Sequence, residues 1–95
     1  MKAELITRFR NVPDAGTGIE MVVWRVPTPV PPSAHGYQYR LVYVVEGQRV
    51  IGFDNERGKG DHMHRGDRQL PYAFVDVDQL IDDFIREVQT WQGEH

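Results

Sequence analysis

The 95-residue sequence predicts an α+β fold: a four-stranded antiparallel sheet of two hairpins, with a C-terminal helix packed on one face. Three observations carry that expectation. Strand-favouring segments come in pairs around short turns, one of them alternates apolar side chains with period two, and the C-terminal segment repeats apolar side chains at helical spacing. No linker or internal repeat divides the chain, so residues 1–95 read as a single domain with a modest core.

The elements follow in order. "AELITRFRNV" (3–12) sets Leu5, Phe9 and Val12 among strand-favouring Ile6 and Thr7, and reads as a first strand. "PDAGTG" (13–18) is turn material, with a proline to fix one φ and glycines for positive φ. "IEMVVWRV" (19–26), rich in β-branched and aromatic residues, returns as the second strand, with Trp24 assigned to packing. "PTPVPPS" (27–33) holds four prolines, cannot pair inside a sheet, and should cross in extended form.

"HGYQYRLVYVV" (35–45) puts Tyr37, Tyr39, Leu41, Tyr43 and Val45 on one face of a third strand. Glu46-Gly47 makes a two-residue turn and "QRVIGFDN" (48–55) the fourth strand. Regular pairing from that turn opposes Tyr43 to Val50 and Leu41 to Gly52. In "LPYAFVDVDQLIDDFIREVQTWQ" (70–92), Asp76 with Gln79 forms an acidic capping box and Val75 with Leu80 a hydrophobic staple. Val77, Leu80, Ile81, Phe84, Val88 and Trp91 then form the buried stripe of a helix, with Asp78, Asp82, Arg86 and Glu87 outside.

Composition narrows the function. With no cysteine there is neither a disulfide framework nor a thiolate zinc site. A net charge of −3 argues against a generally basic nucleic-acid binder but leaves room for a local positive cleft. "MKAELITRFR" lacks the apolar core of a signal peptide, and no run approaches the roughly 20 apolar residues of a membrane span. The expected location is the cytoplasm, away from membranes.

"DNERGKGDHMHRGDR" (54–68) is the segment that bears on chemistry. It holds Arg57, Lys59, Arg65 and Arg68, the acids Asp54, Glu56, Asp61 and Asp67, and both His62 and His64, with Met63 its only apolar side chain. It is expected to leave the sheet as a loop, with a short extended piece around "DHMH". A solvated connection is one reading, although roughly 2–6 residues is the usual length for such a link. A metal site is another: His62 and His64 project to one side of an extended segment, and Asp61 or Asp67 could add oxygen.

Phosphate chemistry uses more of the stretch. Metal-free RNA cleavage needs a base, an acid and cations at the phosphorane. His62 and His64 titrate in the right range, and Arg57, Lys59, Arg65 and Arg68 supply positive charge. Tyr72 and Tyr39 offer faces for stacking unpaired bases.

"EMVVWRVPTPVPPSAHGYQYRLVYV", "GFDNERGKGDHMHRGDRQLPYAFV" and the acidic-apolar terminal helix together resemble the TumE-type toxins of bacterial toxin-antitoxin systems, over Lys2 to Trp91. The family pattern "YDN…KGDH.H" falls on Asp54, Asn55, Lys59, Gly60, Asp61, His62 and His64, with Phe53 in place of the tyrosine. The resemblance implies a RelE-like ribonuclease toxin paired with a helix-turn-helix antitoxin, although RelE-like toxins open with a helical hairpin and this chain with strands. A basic antitoxin would suit the negative chain.

The expected machinery is then His62 and His64 as acid and base, Lys59, Arg57 and Arg65 on the phosphate, and Asp61 orienting a histidine. Arg68 and Tyr72 are further RNA contacts, and Asp54 and Asn55 anchor the loop. The expectation needs no cofactor and no metal, and it takes RNA, the antitoxin and a second copy of the chain as partners. A non-enzymatic binding module and a metal-dependent hydrolase using His62 and His64 are the alternatives.

Overall fold

The computed structural model describes residues 2–95, so Met1 of the expected domain lies outside the described residues. Strands β1 (Glu4–Asp14), β2 (Thr17–Arg25), β3 (Tyr37–Val45), β4 (Gln48–Glu56), β5 (Gly60–Arg65) and β6 (Arg68–Pro71) form one antiparallel sheet in chain order. Helix α1 (Val77–Glu94) follows and packs on one face. The α+β architecture and both N-terminal hairpins are as expected, but the sheet has six strands rather than four. β5 comes from the segment expected to be a loop, and β6 from its last residue, Arg68, and the three residues that follow. Gly58, Gly60 and Gly66 take positive φ there and turn the chain back on itself twice.

Glu46 and Gly47 both adopt positive φ, which matches the right-handed twist of a two-residue hairpin. Val45 and Gln48 flank this turn as a pair, yet Tyr43 pairs with Ile51 and Leu41 with Phe53, not with Val50 and Gly52. Val50 is an extra residue in β4, and its carbonyl accepts from Gly66 N at 2.9 Å. Such a bulge reverses which side chains of the strand face each way. Ile51 and Phe53 turn toward the helix, and Gly52 and Asp54 turn away.

The core lies between α1 and the sheet. Tyr39, Leu41, Tyr43, Ile51, Phe53 and Met63 meet Leu80, Phe84 and Val88, with Phe53 edge-on to Phe84 at 6.0 Å between ring centroids. Asp76 caps the helix by accepting from Gln79 N at 2.7 Å. The Gln79 side chain donates to Asp83 at 2.8 Å instead of returning to Asp76, so only half of the capping box forms. Val75 is 70% exposed, which leaves the expected staple unmade.

The β1 edge extends beyond the helix and keeps Leu5, Ile6, Phe9 and Val12 exposed. Gly18 is required where β2 faces an irregularity in β1, because a Cβ there would lie 2.5 Å from Asn11 O.

Phe84→Ala should cost about 3–5 kcal/mol in chemical denaturation, as expected for a large core side chain. Val75→Ala should stay within about 0.5 kcal/mol. A comparable loss for Val75 would mean that the staple forms in solution.

Candidate functional site

Asp61, His62, Met63 and His64 are consecutive in β5, and successive strand residues point to opposite faces. Met63 enters the core under α1. Asp61 shares that side, whereas His62 and His64 lie on the face that the helix leaves uncovered.

On the uncovered face, β4 pairs Asp54 with His62 and Gly52 with His64. His62 is 3% exposed and Asp54 6%. His62 Nδ1 lies 2.9 Å from Gly60 O, and a carbonyl only accepts, so Nδ1 carries a proton and donates it. His62 Nε2 lies 2.6 Å from Asp54 Oδ1, but the approach lacks hydrogen-bond geometry and leaves that buried oxygen without a hydrogen-bond partner. The rings of His62 and His64 meet edge to face at 4.8 Å between centroids.

Two arginines complete the electrostatics. Arg40 stands opposite Asp54 on β3. Arg49 lies over Gly52, where an added Cβ would approach its Cδ to 2.9 Å, so the missing side chain makes room for it. Burial, the positive charge of Arg49 and the neighbouring His62 hold His64 below its ordinary value of 6.5. Beside this cluster, Val22, Trp24, Gln38, Arg40 and Glu56 line part of a shallow depression of about 220 Å³.

The other face uses similar residue types for a different purpose. Asp61 accepts from Ser33 Oγ at 3.0 Å, Tyr39 Oη at 2.6 Å and His35 Nε2 at 2.7 Å. His35 Nδ1 accepts from Tyr37 N at 3.2 Å, which fixes the proton on Nε2, and its ring stacks on Phe74 at 3.8 Å. Asn55 donates to Tyr37 O at 2.7 Å and accepts from Tyr39 N at 2.9 Å. Together these bonds latch the proline-rich crossing to the end of the sheet. Burial and the bond to Asp61 push the Tyr39 hydroxyl up, so it remains a donor.

Of the residues predicted to act together, Asp54, His62 and His64 converge. Lys59 and Arg57 lie in the exposed β4–β5 turn at the rim, where Lys59 pairs with Glu56 at 3.5 Å and its charge reaches His64. Asp61 orients a histidine, but that histidine is His35. Asn55 is buried in the latch as an anchor. Arg65 is engaged on the helix side, forking onto Glu87 at 2.5 and 2.9 Å. Arg68 lies beside it, opposite Arg65 in the register. Tyr72 donates to Asp83 at 2.6 Å and packs edge-on to Phe53. Burial followed by the Asp83 bond raises its hydroxyl, and its ring belongs to the packing under the helix.

The pattern that carried the resemblance therefore occupies two adjacent strands and the turn between them. Residues 2–92 match the family model described as toxin TumE. The chain belongs to the TumE toxin family. No curated protein and no solved structure gives a match. Within the family pattern, strand alternation sends Asp54, His62 and His64 to the open face and Asn55 and Asp61 to the latch. Arg40 and Arg49 drew no functional reading from the sequence and Trp24 was assigned to packing, whereas the register puts all three on the open face.

Asp61→Ala leaves three donors unpaired and should destabilise the fold by about 1–3 kcal/mol. It should also open residues 27–35 to limited proteolysis, and an unchanged cleavage pattern would count against the latch. His64 binds a proton less readily when folded, so its contribution to stability is present above 6.5 and is lost as pH falls below it and through the lower folded value. Denaturant midpoints in chelator-containing buffer should fall from about pH 7.5 to about 5.5, and His64→Gln should flatten that fall.

Proposed function

We propose that the chain is the toxin component of a toxin-antitoxin module and a metal-independent ribonuclease that holds RNA on the uncovered sheet face. The observation that carries this reading is the arrangement of His64 beside Arg49, with Arg40 and Trp24 on the same face and the Asp54–His62 pair behind. It offers a base, cations and an aromatic surface without any helix in the way.

His64 is the base in this mechanism: its burial and its cationic neighbour keep the imidazole unprotonated near neutral pH. It takes the 2′-hydroxyl proton as the 2′-oxygen bonds to phosphorus and the bond to the 5′-oxygen breaks, leaving a cyclic phosphate. Lys59 gives the departing 5′-oxygen its proton, and Arg49 stabilises the phosphorane. His62, held between Gly60 and Asp54, buttresses His64 and does not swing toward the leaving group. Trp24 stacks an unpaired base and Arg40 contacts the backbone. A basic helix-turn-helix antitoxin is the partner that restrains this activity, in keeping with the chain's charge of −3.

Single-stranded RNA should be cut by the purified protein in EDTA, with cyclic phosphate ends. His64→Ala should slow cleavage about 100-fold or more, the scale of a lost general base. Trp24→Ala should weaken RNA binding about 10- to 100-fold, and His35→Ala, on the other face, should do neither. RNA that is retained but never cut would replace the enzyme reading with that of a binding module.

A further inference from the structure

We propose that Asp54, His62 and His64 also bind one divalent transition-metal ion of the Zn²⁺ class, and that occupancy withdraws His64 from proton transfer. The second half rests on the ribonuclease reading; the first does not.

One ligand atom from each of the three residues lies within 4.8 Å of the others. Tetrahedral coordination with bonds near 2.1 Å separates neighbouring ligand atoms by about 3.4 Å, so small side-chain shifts complete the set. The protonation pattern is more telling than the proximity. Gly60 O fixes the proton of His62 on Nδ1, so in the neutral ring Nε2 presents a lone pair. That lone pair lies 2.6 Å from a buried carboxylate oxygen that has no hydrogen-bond partner. Two acceptors so close repel unless positive charge sits between or beside them.

The same chain shows what an ordinary His–Asp hydrogen bond looks like. His35 Nε2 meets Asp61 Oδ1 at 2.7 Å with hydrogen-bond geometry, and the proton on Nε2 is assured by the bond that Nδ1 accepts. The pair on the uncovered face is equally short but lacks that alignment. Opening the pair from 2.6 Å to about 3.4 Å would admit a cation, with each group then aimed at the ion rather than at the other.

A backbone carbonyl holding Nδ1–H is also the usual outer support of a metal-bound histidine. Two imidazoles and one carboxylate favour Zn²⁺ and its neighbours over Mg²⁺ or Ca²⁺. His64, the most exposed of the three, leaves a fourth position open to water. Arg49 and Lys59 weaken the site by charge repulsion, which favours an ion that can be removed over a permanent structural one.

The test is a calorimetric titration of the full-length chain with Zn²⁺ in chelator-free buffer, repeated with Mg²⁺. Zn²⁺ should saturate a single site per chain and raise the melting temperature, whereas Mg²⁺ should do neither. Asp54→Asn and His64→Ala should each weaken Zn²⁺ binding about 10-fold or more. His35→Ala and His95→Ala should leave it unchanged. Asp54→Asn is nearly isosteric and His64 is partly exposed, so circular dichroism should show both variants folded.

Absence of saturable Zn²⁺ binding, or equal binding in wild type and both folded variants, overturns the site. In the RNA assay, a single equivalent of Zn²⁺ should suppress cleavage and EDTA should restore it. Cleavage stimulated by Zn²⁺ overturns the withdrawal of His64. A chain that binds Zn²⁺ but never cuts RNA upholds the metal site and overturns the ribonuclease reading and, with it, the withdrawal.

Discussion

The extra residue at Val50 is the constraint on which the rest of the molecule depends. Side chains in a strand alternate with period two, so one inserted residue exchanges the faces of everything beyond it. Without it, the two-residue turn at Glu46-Gly47 would bring Gly52 and Asp54 under the helix and put Ile51 and Phe53 in solvent. Burying Ile51 and Phe53, which are almost fully enclosed, stabilises the fold by about 2–3 kcal/mol each. A carboxylate in the same place would cost several kcal/mol unless paired. The bulge buries the apolar pair and places Asp54 beside His62 on the other face, and β5 inherits the result: Phe53 brings Met63 inward, and Asp54 brings His62 outward.

Alternation also explains how one short segment can hold two histidine–carboxylate pairs with unlike chemistry. Asp61 faces the helix side and gathers hydrogen bonds from Ser33, His35 and Tyr39, all in good geometry. It is a satisfied anion, and its effect is mechanical, because those donors come from the proline-rich crossing and the strand that follows. Asp54, seven residues earlier in the sequence, faces the open side and keeps an oxygen unsatisfied in a buried setting. Left unpaired in a low-dielectric setting, such a group is costly.

The sequence made some of this legible and hid the rest for physical reasons. The helix could be placed because six apolar side chains recur at its period, and β3 because tyrosines and aliphatic residues recur at period two from Tyr37 to Val45. β5 alternates too, but its outward positions are histidines and one inward position is Asp61, so the pattern does not read as apolar and polar. The register of β3 with β4 was beyond reach, since nothing in "QRVIGF" distinguishes a bulge at Val50 from regular pairing. His62 and His64 could be named from residue type and spacing, whereas Asp54 was expected only as a loop anchor. Arg40, Arg49 and Trp24 join the candidate site only once the faces are known.

A site carried on strands differs from one carried on a loop in where the entropy of binding falls. Backbone ordering costs about 1–2 kcal/mol per residue, and here it is met when the sheet folds. His62 and His64 are held by ladder bonds on both sides of β5, so they need little reorganisation when a ligand arrives. A single-stranded RNA laid across this face would contribute the flexibility, and the chain would contribute the fixed geometry. The cations follow the same division. Arg40 and Arg49 stand on the sheet, whereas Arg57 and Lys59 sit in the exposed turn between β4 and β5, where they can follow a phosphate that moves. In the ribonuclease reading the sheet holds His64 and Arg49 at the phosphate, and the turn brings Lys59 to the leaving oxygen.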